Sequence, residues 1–322
     1  MFTYTLKKLA MALPLLWGVI TLIFFLIELS PGDATDRFFT PETPPEVRQA
    51  ITEKWGLDKP AVTRYGIMMV NLIQGDFGRS ISQERPVFDI VLDALPNTLV
   101  LSLLSLIVIN LVGVVLGIVQ AARQYSALDG GLSVLSLFFY SMPGFWLALV
   151  LQLVFGLWWP VLPTSGMIDA VMHDYMTPSQ QTADKLTHLI LPGVALGVSS
   201  AASVARYMRS SLLEVIRQDY IRTAKAKGLP EYVVVLKHAL RNALLPIITI
   251  LGMQLPFLVS GAVLVEHIFG WPGMGRLIVL AIMSQDTPLI IACFFILTML
   301  VVVGNLMADL LYAVVDPRIR FE

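Results

Sequence analysis

The sequence predicts an all-α polytopic membrane protein with six transmembrane helices, both termini cytoplasmic, and a small periplasmic or extracellular insertion after the first helix. Three observations predict it. Of 322 residues, 56% are hydrophobic and 14% charged, with a mean hydropathy of +0.75, which is too apolar for a water-soluble domain. Six stretches are long enough to span, since about 20 apolar residues at about 1.5 Å each cross a hydrocarbon layer of about 30 Å. The third observation is the uneven distribution of Lys and Arg among the connecting segments.

The spans, in order, are 9–29, 98–122, 132–161, 189–205, 243–265 and 288–308. Lys7 and Lys8 ahead of the first could suggest a secretory signal. That stretch is long enough to span, however, and Ser30-Pro-Gly-Asp33 follows it rather than a small-residue cleavage site, so a retained helix is expected. The fourth span is short, bounded by His188 and Arg206, and can extend by snorkelling at either end.

With the N-terminus inside, the inner segments hold thirteen basic residues and the short outer loops only Lys185 and Arg276. The other seven lie between Pro31 and Leu95, where ten acidic residues outnumber them, in a segment long enough to escape the rule. The net charge of −1 is uninformative about partners, because sidedness matters more than the sum. The organisation expected is 1–29 (cytoplasmic N-terminus and first span), 30–96 (external segment), 97–317 (five-helix core with an inner loop at 206–241) and 318–322 (cytoplasmic tail).

In the external segment, 44–55 reads as a short helix with Pro at its start, and Gly75-Asp-Phe-Gly78 as a turn. The segment is too short and polar for a large core of its own, so it should pack on the outer helix ends.

The inner loop carries the mechanism. Leu213, Ile216, Tyr220 and Ala224 recur at helical spacing, with Glu214, Gln218, Arg222 and Lys225 opposite, which predicts one amphipathic helix. Gly228 can end it in the left-handed conformation and Pro230 prevents continuation, so a helix-turn-helix parallel to the membrane is expected. Small residues at Thr223, Ala224 and Gly228 leave room for another protein. On the residues alone two roles stay open: an interfacial helix lying on anionic lipid, or a docking site for a partner.

Asp219-Tyr-Ile-Arg-Thr-Ala-Lys-Ala-Lys-Gly-Leu229, followed by Lys237-His-Ala-Leu-Arg-Asn-Ala-Leu-Leu-Pro246, resembles the ATPase-contacting loop of binding-protein-dependent ABC permeases. The match is to the dipeptide, oligopeptide and nickel branch. Leu29-Ser-Pro-Gly-Asp, Gly56-Leu-Asp-Lys-Pro, Gln74-Gly-Asp-Phe-Gly-Arg-Ser, Pro96-Asn-Thr-Leu, Ser141-Met-Pro-Gly-Phe-Trp and Leu162-Pro-Thr-Ser-Gly continue the likeness. So do Val265-Glu-His-Ile-Phe-Gly-Trp-Pro-Gly-Met-Gly-Arg, Asn305-Leu-Met-Ala-Asp-Leu-Leu-Tyr and Asp316-Pro-Arg-Ile-Arg. In this order the motifs cover nearly the whole chain and are specific.

The resemblance implies a multi-pass permease of the bacterial cytoplasmic (inner) membrane, paired with a second homologous permease and in contact with membrane lipid. It implies two ABC ATPase subunits, which bind ATP and Mg, and an extracytoplasmic solute-binding protein. It assigns ATPase coupling to Asp219, Tyr220, Arg222, Thr223, Ala224, Ala226, Gly228 and Leu229. Two positions depart from the wider ABC-importer consensus: Arg222 replaces its usual acidic residue, and Pro246 follows Gly228 at a longer interval. Both resemble the peptide branch, and Arg222 argues against an acidic anchor. Relatives carry dipeptides, longer peptides, glutathione, antimicrobial peptides, sugars or chelated nickel, so a peptide-like solute is implied without one being singled out.

Asn110, Gln152, Gln254, Asn305 and Asp309 are polar groups in or near apolar spans, where an unpaired group costs on the order of 1 kcal/mol or more. Interhelical hydrogen bonds are the default for them, with Asp309 pairing a basic loop residue. Gly113, Gly117, Gly144, Gly252 and Gly261 suit close helix packing. Pro143 and Pro256 interrupt helical bonding in two spans, and with Gln254 and Trp271 they are the pathway or gate candidates. Trp271 in its glycine-rich turn also reads as an interfacial anchor.

No catalytic residue is expected. His173, His188, His238 and His267 show no ligand spacing, so no metal site is expected. No Walker loop and no Gly-x-Ser-x-Gly occur, so the chain holds no cofactor and cannot itself hydrolyse ATP. Cys293 alone provides neither a disulfide framework nor a thiolate cluster, and no nucleic-acid partner is expected. The competing class is a stand-alone membrane receptor or enzyme whose basic loop binds lipid.

Overall fold

The computed structural model describes residues 2–30, 44–54, 56 and 58–315. Its helices are α1 (Phe2–Glu28), α2 (Pro45–Lys54), α3 (Ala61–Ile73), α4 (Val87–Ala122), α5 (Ala127–Ser141), α6 (Gly144–Gln152), α7 (Pro178–Ile216), α8 (Asp219–Ala226), α9 (Glu231–Val233), α10 (Leu240–Ala243), α11 (Leu245–Ile268), α12 (Met274–Met283) and α13 (Thr287–Val315). Two π-helical turns, Leu153–Trp158 and Val234–Ala239, continue α6 and α9, and a 3₁₀ turn covers His173–Tyr175. Among the described residues the only extended pairing is an isolated bridge between Arg79 and Pro86.

Among the described residues, four helices are long and apolar enough to cross a membrane: Ala10–Glu28, Val87–Ala122, Pro178–Ile216 and Thr287–Asp309. Two bent pairs raise the number to six if each is one span: Ala127–Ser141 with Gly144–Trp158, bent by 103°, and Glu231–Ala243 with Leu245–Gly252, bent by 43°. The third stretch is therefore not the single continuous helix expected over 132–161. Pro143 has no N–H to donate and forces Met142 to an extended φ of −78° and ψ of 131°, which stops α5 and redirects the chain.

The fourth stretch, short by composition, lies in a 39-residue helix. A reciprocal capping box between Thr177 and Gln180 starts α7 well before the apolar run, satisfying two orphan donors. At the other end Gln218 turns extended.

The chain divides into two compact units. Among the described residues, one holds Thr98–Pro272 and 300–315; the other holds those within Phe2–Asn97 and Gly273–Met299. In the first, α4 and α7 meet along a seam of glycines. A Cβ on Gly113 would lie 2.6 Å from Val204 Cβ, and one on Gly117 would lie 2.5 Å from Met208 Cβ and 2.6 Å from the Ala205 carbonyl. From the other side, a Cβ on Gly193 would lie 2.5 Å from Leu104 Cδ2, and one on Gly197 2.6 Å from Val108 Cγ1. Small residues four apart on both helices bring the backbones together, as expected for Gly113 and Gly117. A Cβ on Gly252 would lie 3.3 Å from Ala308 Cβ, whereas Gly144 faces open space and Gly261 lies outside the described side chains.

A core of Ile109, Val204, Met208 and Leu212 continues from this seam to Ile221, Val234, Ala239 and Ala243. Asn110 donates to Gln254 Oε1 at 3.4 Å, the interhelical bond expected of these amides. Gln152 instead reaches the Thr164 carbonyl at 2.6 Å.

In the second unit, α3 packs along α1. Tyr65 and Thr21 share a hydroxyl bond of 2.7 Å, Arg64 pairs with Glu28, and Ile20, Phe24 and Ile291 form the adjoining core. The short helix expected at 44–55 is α2, with Trp55 outside the described residues. The apolar α3 was not expected, because charged flanks at Lys59 and Asp76 dilute its composition. The Gly75–Gly78 turn closes through Asp76 Oδ1, which accepts the Gly78 N–H at 2.8 Å. Buried Asp286 ties down the strap that follows, accepting from Ser80 Oγ at 2.6 Å, Ser82 N at 2.8 Å and Ser82 Oγ at 2.7 Å.

Candidate functional site

Within the loop at 206–241, residues Asp219–Ala226 form α8. Gln218, at φ −70° and ψ 151°, breaks the chain after α7, and a new helix starts at Asp219 with an acid in its first turn and Lys225 in its last; both charges complement the helix dipole. Gly228 ends it as expected, at φ +74°, its N–H donating to the Lys225 carbonyl at 3.0 Å while Lys227 N–H reaches the Thr223 carbonyl at 3.1 Å. Pro230 then adopts an extended conformation ahead of α9.

The break resets the helical register. Ile221 and Ala224, at 0% and 7% exposure, are the side chains that α8 buries, against the core containing Leu212, Val234 and Ala239. Tyr220, expected on the buried face, is 43% exposed. Two expectations are thereby corrected. No single helical face runs from Leu213 to Ala224, and Ala224 does not leave room for a partner, because it sits one turn from Ile221 on the inward side. Burying these two side chains contributes on the order of 2 kcal/mol, enough to hold so short a helix in place.

The other seven coupling candidates form one exposed surface: Asp219, Tyr220, Arg222, Thr223, Ala226, Gly228 and Leu229. Thr223 Oγ1 donates to the Asp219 carbonyl at 3.0 Å. Arg222 reaches Asp219 Oδ1 at 3.2 Å, an ion pair with side chains 74% and 93% exposed, whose contribution is a few tenths of a kcal/mol. Tyr220 is fixed from outside the helix, since Asn242 Nδ2 donates to its hydroxyl at 2.7 Å. Ser211 Oγ in turn donates to the Ala243 carbonyl at 2.9 Å, holding α10 to α7.

Beside α8 lies a cleft of about 420 Å³, walled by Arg123, Gln124 and Ser126 from the α4–α5 turn, Leu213 and Ile216 from α7, and Lys225 and Glu231. The sequence reading did not pick out this turn. Ser126 followed by Asp129 before an apolar run is a capping signature that could have marked it, and Ser126 Oγ does accept the Asp129 N–H at 3.2 Å.

The pathway candidates do not gather with these residues. Pro143 sits at the α5–α6 break, and Gln254 meets Asn110. Position 256 lies within α11, its side chain outside the described residues. Trp271 is not an interfacial anchor: at 1% exposure it packs with Leu101, Leu189 and Ala262, because its N–H turns back to the Glu266 carbonyl at 2.8 Å. Glu266, fully buried beside it, accepts from Thr98 Oγ1 at 2.7 Å. The histidine spacing was also incompletely read. Asp184 and His188 are four apart, and Asp184 Oδ2 meets His173 Nδ1 at 2.6 Å while Oδ1 meets His188 Nδ1 at 3.1 Å. Asp184 thus draws in both rings, and among the described residues no group of three or more such side chains is arranged to hold a metal.

Residues 113–321, which contain α8 and its exposed surface, match the family model of the binding-protein-dependent transport system inner membrane component. The chain belongs to this family. It is therefore a permease subunit of an ABC importer in the inner membrane, working with an ATPase carried by partner subunits and with a substrate-binding partner. Among its relatives, the oligopeptide transport system permease protein AppB of Bacillus subtilis is 40% identical over 100% of both chains. The dipeptide transport system permease protein DppB of Alkalihalophilus pseudofirmus is 38% identical over 100% of both. The glutathione transport system permease protein GsiC of Escherichia coli K12 is 35% identical, again over 100% of both. A crystal structure of an amino acid ABC transporter with histidines superposes with a TM-score of 0.47 at 16% identity, over 72% of this chain and 95% of that one.

Proposed function

We propose that this permease carries a peptide or peptide-like solute inward by alternating access, and that its α8 surface is where a separate ATPase subunit delivers the energy. Full-length likeness to permeases named for oligopeptide, dipeptide and glutathione transport supports the solute class. One observation carries the coupling role. Ile221 and Ala224 lock α8 into the core while Tyr220, Arg222, Thr223 and Gly228 stay outside, so a push on the exposed side reaches the bundle without first deforming the loop. The small side of that surface, Thr223 and Gly228, is where a partner can approach most closely. Basic side chains on a lipid-bound loop would need no such anchoring.

In this arrangement each bent pair counts as one span, giving six, with both termini cytoplasmic. A second, homologous permease completes the path, lipid surrounds the pair, and two ATPase subunits bind ATP and Mg, none of which this chain holds. Selectivity resides mainly in an extracytoplasmic solute-binding protein, and binding assays on that protein would identify the solute. Pro143, Gln254, Pro256 and Trp271 remain the pathway or gate candidates.

Replacing Gly228 with Trp tests the coupling role: ATP-dependent uptake into membrane vesicles should be lost while the permease inserts at its normal level. Uptake at the wild-type rate would sink the assignment. Purification in mild detergent separates the competing class, since a stand-alone receptor or enzyme would bring down no ATPase subunits.

A further inference from the structure

The α4–α5 turn holds an exposed aromatic in a conformation that its backbone does not favour. Tyr125 has a φ of 63°, in the left-handed region, which a bulky L-residue seldom occupies, and its side chain is 85% exposed. The turn is tightly built. Tyr125 N–H donates to Asp129 Oδ2 at 3.0 Å, and Asp129, 3% exposed, accepts from Arg209 Nε at 2.9 Å and Nη2 at 2.8 Å. Ser126 Oγ donates to the Arg123 carbonyl at 2.6 Å. A two-pronged ion pair between buried Asp129 of α5 and half-buried Arg209 of α7 thus maintains the conformation that projects the Tyr125 ring outward. Strain retained by surroundings that over-determine it marks a place where geometry is used.

The position gives the use. Arg123, Gln124 and Ser126 of this turn and Lys225 of α8 wall the same cleft, with Arg123 and Lys225 exposed on its two sides. We propose that Tyr125, with Arg123 beside it, is a second contact for the ATPase subunit that engages α8, which therefore straddles the cleft. This rests on the assignment of α8 as the coupling helix. An exposed Tyr with an adjacent Arg is the composition that anchors protein interfaces. A lipid headgroup makes no demand on backbone conformation, since an interfacial Tyr works from an ordinary helix end.

Site-specific photo-cross-linking in the assembled transporter tests this, with Tyr125→p-benzoylphenylalanine and, in parallel, Thr223→p-benzoylphenylalanine on α8. Both should yield adducts with the ATPase subunit. An adduct from position 223 alone would overturn the second contact and leave the coupling helix standing; adducts from neither would overturn both. An adduct from position 125 with lipid or with the other permease alone would also overturn it. A functional arm uses Tyr125→Asn, which tolerates the left-handed backbone but lacks the ring. ATP-driven uptake should fall roughly fivefold or more, the scale of one interface anchor, at an unchanged level of permease in the membrane. Uptake at the wild-type rate would mean that the ring does nothing.

Discussion

Asn242 holds Tyr220 by a 2.7 Å bond from its side-chain amide to the phenolic oxygen. The bond spans α8 and α10, and it fixes the largest exposed side chain of the proposed coupling surface from outside its own helix. A neutral, solvent-exposed hydrogen bond contributes about 0.5–1.5 kcal/mol. Tyr220→Phe and Asn242→Ala should therefore each weaken capture of the ATPase subunits by roughly two- to tenfold, with the double variant no worse than either single one. Titrating purified ATPase onto detergent-solubilised permease measures this, and additive losses would show that the two residues act separately.

The glycine seam should tolerate no added bulk. Gly117→Leu drives carbon into Met208 and the Ala205 carbonyl, where even a Cβ would sit at 2.5 Å and 2.6 Å, and overpacking of this kind costs about 1–3 kcal/mol or more. Gly144→Ala, facing open space, should be nearly neutral. Thermal unfolding in detergent compares the two, and equal midpoints would refute the seam.

Asp286 should secure the strap at 79–86. It is fully buried and takes three donors from Ser80 and Ser82, so Asp286→Ala strands them at a cost of about 2–3 kcal/mol. Limited proteolysis should cut the variant within this strap and spare the wild type.

Acid should release the loop before α7 only at low pH. The backbone N–H groups of Met172 and Val171 hold the Asp169 carboxyl below the ordinary carboxylate value. A depressed folded-state value means that the stabilisation is complete above the ordinary value and disappears as pH falls through the depressed one. Hydrogen exchange at residues 171 and 172 should therefore stay slow from neutral pH down into the usual carboxylate range, and quicken below it; quickening near neutrality would contradict the assignment.

The four long apolar helices and the stop at Gly228 were legible because both rest on local chemistry: hydropathy over a helix length, and a glycine ahead of a proline. The break at Gln218 was not. Gln is helix-compatible, and tertiary burial of Ile221 rather than any local signal reset the register. Trp271 misled for a related reason, since a glycine-rich turn looks exposed until the backbone is seen folding it under α11. The Asp129–Arg209 pair joins residues eighty positions apart, a partnership that periodicity within one helix cannot disclose. Asp184 and His188, four apart on α7, were visible and overlooked.

The seam between α4 and α7 bears on how quickly a displacement can travel. Side chains between two helices act as springs, absorbing small movements by changing rotamer. Where Gly113, Gly117, Gly193 and Gly197 bring backbone against neighbouring helix, that compliance is missing. With α8 only two residues beyond the end of α7, the coupling role proposed for α8 would send its displacement into α7, and the close seam would make α4 move with it.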